Sequence, residues 1–446
     1  DMSASSAHQG MIARLPNDWA SVTVGELGNV VGGSTPSRDS SHFWGGSYPW
    51  VTPGELTSLG AKHVQATREA ITRAGLDSCG ARLVPVNTLL VTSRATLGSV
   101  ALAGRELCTN QGFKSVILGS SAPPDFYFHL FKTLTSELER RASGTTFLEV
   151  SGREFSAVVV PQPPLPEQRH IAAILDTVDD AIRKTEQIIA KLKQVKQGLL
   201  HDLLTRGIDD NGELRDPERH PEQFKDSPLG RIPREWEAVV LGDDARITHG
   251  YAFEGHFFTD RPEGPILLTP GNFHRDAGLY FTAGNTKHFT GPIPPGYTLT
   301  QGDLVTVMTD LSPRTLILGR AVVIGDSVPL LHNQRIGKVV LTDRARWETD
   351  LLCHALNDER VRRRVIREAT GTTVRHTSPQ RLLKSVLARP SLAEQRRICA
   401  VLLKHDERER REHGSATKLR LLKAGLMEDL LTGRVRVTSL LAEMQP

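Results

Sequence analysis

Nine lysines and arginines stand between Arg360 and Arg389 against a single acid, Glu368. Cations at that density suit a polyphosphate, where they displace condensed counterions; the alternative is an ordinary solvated helix face. On the first reading, Arg362 to Arg375 is expected to lie against the phosphates of a polyanionic partner. Gly-Thr-Thr occurs twice, at Gly144-Thr145-Thr146 and Gly371-Thr372-Thr373, 227 residues apart. A glycine turn with two hydroxyls and free N–H groups can wrap a phosphate oxygen. Arginine is suited to guanine edges, and Asn or Gln to adenine. The candidates for phosphate or base contact are Arg38, Arg94, Lys114, Arg140, Arg141, Thr145 and Thr146 in the first half. In the second half they are Arg275, Arg314, Arg335, Arg363, Arg364, Thr372, Thr373 and Arg375. Each has the alternative of being a surface or turn residue.

Catalytic patterns do not stand out. Gly337-Lys338 lacks the spacing and the following hydroxyl of a phosphate loop, and there is no H-E-x-x-H. Pro123-Pro124-Asp125-Phe126 holds the residues of an amino-methyltransferase tetrapeptide in the wrong order. Sixteen histidines lack ligand-like spacing. Four scattered cysteines without a C-x-x-C pair argue against a disulfide or zinc framework. A net charge of +4 permits a polyanionic partner without requiring one. No apolar run reaches membrane-span length and no signal-peptide pattern opens the chain, so a cytoplasmic, non-membrane protein is expected.

Two long helices must position these residues. In Pro164 to Thr205, Pro166 stands at the first helical position and Glu167 in the first turn, where the helix dipole favours an acid. Ile171, Ile174, Val178, Ala181, Thr185, Ile188, Leu192, Val195 and Leu199 then form a heptad seam. Leu175, Ile182, Ile189 and Leu203 form a second stripe, expected to be covered by a partner. Ser391 to Thr432 repeats the stretch without a gap at the same offset of 227. Its seam is apolar at Ile398, Val401, Leu419, Leu422 and Leu426. It turns polar at His405, Arg408, Glu412 and Ser415, beside Gly414. Splayed helices, charges paired across the seam, and a kink at Gly414 each account for that interruption.

The repeat extends beyond the helices. Pro16–Trp19 recurs as Pro233–Trp236, and Asn110-Gln111 as Asn333-Gln334. Mixed strands and helices in each half imply an α+β fold. The expected organisation is a polar lead over 1–14 and a first globular domain over 15–160. A first helix follows over 161–207 and a polar linker over 208–231. The second domain covers 232–388, the second helix 389–433, and a tail 434–446.

This combination resembles the specificity subunit of Type I restriction–modification complexes. The likeness runs through GGSTPS, PWVTPGEL, SRATLG, NQG, SGTT and PPLPEQRHIAAIL, then LLTRGIDDNG, SPLGRIPREW, TGTT, LAEQRRI and LMEDLLTG. The second half departs at Thr248–Gly255 and in its interrupted seam. The resemblance implies a pseudo-two-fold repeat: two target recognition domains, each reading half of a split site in double-stranded DNA. The helices would pack as an antiparallel coiled-coil spacer and dock two modification (methyltransferase) subunits. The resemblance also admits restriction (motor-nuclease) subunits as partners. It implies a non-catalytic chain that binds no cofactor, with S-adenosylmethionine held by the modification subunit. An assembly scaffold that binds proteins without reading DNA is the competing reading.

Overall fold

The structure is a computed structural model that describes residues 8–144, 147–276, 278–325 and 329–438. It divides into two compact units, residues 1–187 with 413–446, and residues 188–412. The division passes through both long helices, so neither globular part is separable from them in the way a linear order of domains implies.

Each unit is α+β. In the first, strands β1 (Gly28–Gly32), β2 (His63–Val64), β3 (Leu89–Arg94), β4 (Thr96–Ala103) and β5 (Phe113–Leu118) form one sheet in the order β1-β5-β3-β4-β2. All neighbours are antiparallel except β2 with β4. Leu89, Leu90 and Val91 of β3 are fully buried, which explains an apolar run without alternation. Helix Pro124–Phe131 covers the sheet with Phe126, Phe128, Leu130 and Phe131 buried. Burial of each such side chain contributes about 1.5–3 kcal/mol. In the second unit, β6 (Ala245–His249), β7 (Leu304–Val307), β8 (Ala321–Val323) and β9 (Ile336–Leu341) run in the order β6-β9-β7-β8, all antiparallel. This is the β1-β5-β3-β4 order again, with helix Thr349–Asn357 in place of Pro124–Phe131.

The chain enters and leaves each globular part through a strand pair. Ala20–Thr23 pairs with Val159–Gln162, and Glu237–Val240 with Val386–Arg389. Helices Leu165–Thr205 and Leu392–Leu430 follow those exits. In the first unit Lys423 pairs with Asp179 at 2.5 Å; in the second Lys196 pairs with Asp406. The offset of 227 turns one pair into the other, and both require antiparallel helices. The second helix passes Gly414 without a break. The Lys196–Asp406 pair lies beside the polar position His405.

The seam lies one residue away from the expected phase at alternate positions. Leu175, Ile189 and Leu203 are buried, whereas Ile188 and Val195 are 42% and 45% exposed. On the second helix Ile398, Leu402, Ala416 and Leu430 are buried, while Leu422 is 53% exposed. Ile174, Val178 and Ile182 are half-buried, as are Val401, Leu419 and Leu426. Three of the four residues assigned to a partner, Leu175, Ile189 and Leu203, are thus buried within the chain, and part of the expected seam faces outward. Adjacent apolar residues at 174/175 and 188/189 make both phases read alike in one helix.

The E-Q pair opening each helix has a structural role. Trp19 donates to Glu167 at 2.9 Å, and Arg436 donates to both Glu167 oxygens at 2.8 Å. Trp236 donates to Glu394 at 3.0 Å, and Arg215 donates to it at 2.5 Å. Gln168 and Gln395 donate to the carbonyls of Pro163 and Pro390. Glu167 thus serves as a buried anchor for a tryptophan and an arginine, beyond its place at the helix dipole. The expected linker is folded as well: Ile208 is buried, Arg215 holds Glu394, and Phe224–Ser227 pairs with Gly230–Pro233.

Candidate nucleic-acid interface

Three segments lie side by side in each unit. In the first they are the turn Asn110–Gly112, the end of β3 at Ser93–Arg94, and the hairpin from Ser143 to Glu149. The Ser93 N–H donates to the Gly112 carbonyl at 2.7 Å, and the Val150 N–H to the Ser93 carbonyl at 2.9 Å. Ser143 and Glu149 exchange both backbone hydrogen bonds at 2.9 Å, closing the hairpin. In the second unit the Met308 N–H donates to the Arg335 carbonyl and the Thr377 N–H to the Met308 carbonyl, each at 2.9 Å. Thr370 and His376 close the second hairpin at 3.0 and 2.8 Å.

Glycine is required at the start of both hairpins. Gly144 and Gly371 have φ of +129° and +93°. A Cβ there would lie 2.3 Å from the Phe147 carbonyl oxygen or 2.0 Å from that of Val374. Only glycine meets both conditions. Thr372 and Thr373 are exposed at the second tip. Thr145 and Thr146 lie outside the described residues.

The turns beside the hairpins are also repeated. The Asn110 side chain accepts from the Gly112 N–H at 2.8 Å, and that of Asn333 from the Arg335 N–H at 2.9 Å. Each asparagine is consumed in shaping its turn, which leaves Gln111 and Gln334 exposed at the tips. These glutamines are absent from the candidates chosen by charge. The repeated Asn-Gln pair was the signal for them.

The basic candidates separate into two groups. Arg94 and Lys114 converge on Glu149 at 3.6 and 3.4 Å, on the three-segment face. Arg335 is exposed on its turn, and Arg314 is exposed in the loop after Asp310. Neither has an ion-pair partner among the described residues.

The others are committed elsewhere. Arg38 grips Glu69 with both terminal nitrogens and stacks 3.8 Å from the Trp44 ring centroid. Arg140 and Arg141 clasp the buried Glu137 carboxylate at 2.7 and 2.6 Å. Burial opposes ionisation of Glu137, but the two guanidiniums prevail and bring its pKa down to about 2. Arg275, 3.7 Å from Asp276, sits in the turn closed by the Phe273–Leu279 bridge.

Several cations of the basic tract are committed to contacts within the chain, while Arg363, Arg367 and Lys384 are exposed. Arg362 is 9% exposed and donates to the carbonyls of Leu316 and Leu318 at 3.0 and 3.3 Å. Burial pushes its pKa down to about 10, which leaves it charged at neutral pH. Arg375 folds back onto the Gly371 carbonyl at 2.8 Å and holds the hairpin. Arg360 clasps Asp358 and caps the Leu204 and Leu229 carbonyls. Arg363 and Arg364 remain on the outer side, paired with Glu359 and Glu368.

One group among the described residues has ligand-like spacing. His405, Asp406 and Glu409 bring ligand atoms within 4.8 Å of one another. Lys196 already holds Asp406, and its ammonium opposes a bound cation. No helix among the described residues is long and apolar enough to cross a membrane.

The same three-segment arrangement, with the same backbone hydrogen bonds, is thus built once in each unit. Residues 16–194 match the family model of the Type I restriction modification DNA specificity domain. Within that stretch and beyond it the chain is similar to Type I restriction–modification specificity subunits. The Type I restriction enzyme MjaIX specificity subunit of Methanocaldococcus jannaschii is 32% identical over 241 residues, 54% of this chain and 54% of that protein. The chain thus matches about half the length of that relative. The MjaVIII specificity subunit of the same organism is 24% identical over 434 residues, 96% of this chain and 95% of that protein. Two solved structures share the fold. A chain from a study of complex assembly and conformational transition in a type I R-M system has a TM-score of 0.58 at 17% identity, covering 95% of this chain and 100% of its own. The S subunit from M. genitalium has a TM-score of 0.53 at 13% identity, covering 94% and 96%.

Proposed function

We infer that this chain is the sequence-reading subunit of a Type I restriction–modification complex, and that each unit reads one half of a bipartite site in double-stranded DNA. The supporting observation is the three-segment face, formed twice with the same backbone hydrogen bonds but different side chains. Equivalent backbones with different side chains suit two half-sites of different sequence. Exposed Gln111 and Gln334 are suited to adenine edges, and Arg94, Arg314 and Arg335 to guanine or phosphate. The outward faces of the long helices would dock two modification subunits, and restriction subunits would join through that assembly. Methyl transfer and cleavage would belong to those partners, with S-adenosylmethionine in the modification subunit.

A methyl-transfer assay on a random-sequence duplex library tests this reading. Transfer is expected only when this chain and a modification subunit are both present. Transfer by this chain alone, or sequence-independent transfer by the pair, would contradict it.

A further inference from the structure

The three-segment faces carry exposed apolar side chains that their folding does not explain. In the first unit Phe147 and Leu148 are 58% and 47% exposed. In the second, Leu311 and Leu316 are 58% and 45% exposed. Single exposed leucines are common on protein surfaces. Here two large apolar residues stand in or next to the three segments of each unit; in the second, their loop leaves the strand Thr309–Asp310 that pairs with the hairpin. The first pair belongs to the hairpin, and the second to the loop after Asp310.

Both pairs are held by rigid backbone. Leu148 gives its carbonyl to the Ala95 N–H at 3.0 Å, inside a hairpin closed at Ser143 and Glu149. The loop in the second unit is closed by Asp310, whose carboxylate accepts from the Ser312 and Ile317 N–H groups at 2.8 Å each. Arg362, buried beneath it, binds the Leu316 carbonyl. These hydrogen bonds fix the backbone beside each pair, which lowers the entropic cost of contact. Cations border both pairs: Arg94 and Lys114 in the first unit, Arg314 in the second.

Apolar tips within a cationic border match the chemistry of nucleic acid, where charged phosphates flank apolar ring faces and thymine methyl groups. We propose that Phe147 and Leu148, and separately Leu311 and Leu316, contact bases of the bound DNA and set part of the preference of their own half-site. Arg362 is then a positioning residue for the second contact. The proposal rests on the DNA-reading function and adds the residues and the kind of contact.

The test uses the full chain, alone and with modification subunits, against a random-sequence duplex library. Wild type is compared with F147A/L148A and L311A/L316A. Each double variant should melt as wild type does, because the removed side chains are exposed. F147L serves as a conservative control. Each double variant should bind the duplex enriched by wild type about ten- to a hundredfold more weakly. The salt dependence should keep its slope, since no phosphate contact is lost. The positions that lose preference should fall in one half-site for the first variant and in the other for the second. Unchanged affinity and preference would overturn the contact while leaving DNA reading intact. A flattened salt slope would also overturn it, by assigning the loss to phosphates. Failure of wild type to enrich any duplex would remove the DNA-reading function itself.

Discussion

Arg140 and Arg141 show how one residue type serves opposite roles. Adjacent arginines read alike whether they face phosphate or a buried acid. The discriminating sign was Glu137, placed three and four residues earlier on the same helix. Arg362 was less legible, because its acceptors are backbone carbonyls more than forty residues away in sequence. The Glu137 cluster makes a pH prediction. Its folded pKa of about 2 lies below the ordinary glutamate value of about 4.3. The charged form therefore stabilises the fold above the unfolded value, and that contribution fades as pH falls from about 4.3 toward about 2. Glu137→Gln should cost up to about 3 kcal/mol at neutral pH, the low end for a buried pair because Arg140 is partly exposed. Melting curves between pH 7 and 3 should show the gap between wild type and variant narrowing on acidification. A gap that stays constant would assign the loss to packing.

The long helices were legible as elements, and their register only in part. Length, first-turn chemistry and the repeat offset follow from local sequence. The phase of the seam depends on what lies across it, and two adjacent apolar residues satisfy either choice. Ile189 illustrates the consequence. It is 7% exposed, so Ile189→Glu should lower stability by about 3 kcal/mol or more through an unpaired buried charge. Val195→Glu lies on the outward face and should change stability by less than about 0.5 kcal/mol. If that face docks modification subunits, Val195→Glu should also weaken co-elution with them. Equal melting of the two variants would restore the original phase. The sheets were legible only as α+β, because their strands pair across as many as 152 residues (Glu237 with Arg389) and leave no local mark of order. The three-segment face could not be read from spacing, since hydrogen bonds between distant segments create it.

At the scale of the whole molecule, one plan is used twice. Sheet order, entry and exit strands, the tryptophan–glutamate–arginine anchor, the cross-helix ion pair and the glycine hairpin all recur. Among the departures are exposed side chains in and beside the three segments: Phe147 and Leu148 in one unit, Leu311, Arg314 and Leu316 in the other. A duplicated scaffold with divergent tips fits the proposed reading of two different half-sites by one chain. The most direct measurement is selection from a random duplex library by the full chain with modification subunits, followed by sequencing of the methylated products. The products should contain two short conserved blocks separated by a gap of fixed length and no preferred sequence. Gln111→Ala should blur one block and Gln334→Ala the other. A single uninterrupted block, or one substitution that blurs both, would contradict independent reading by two units.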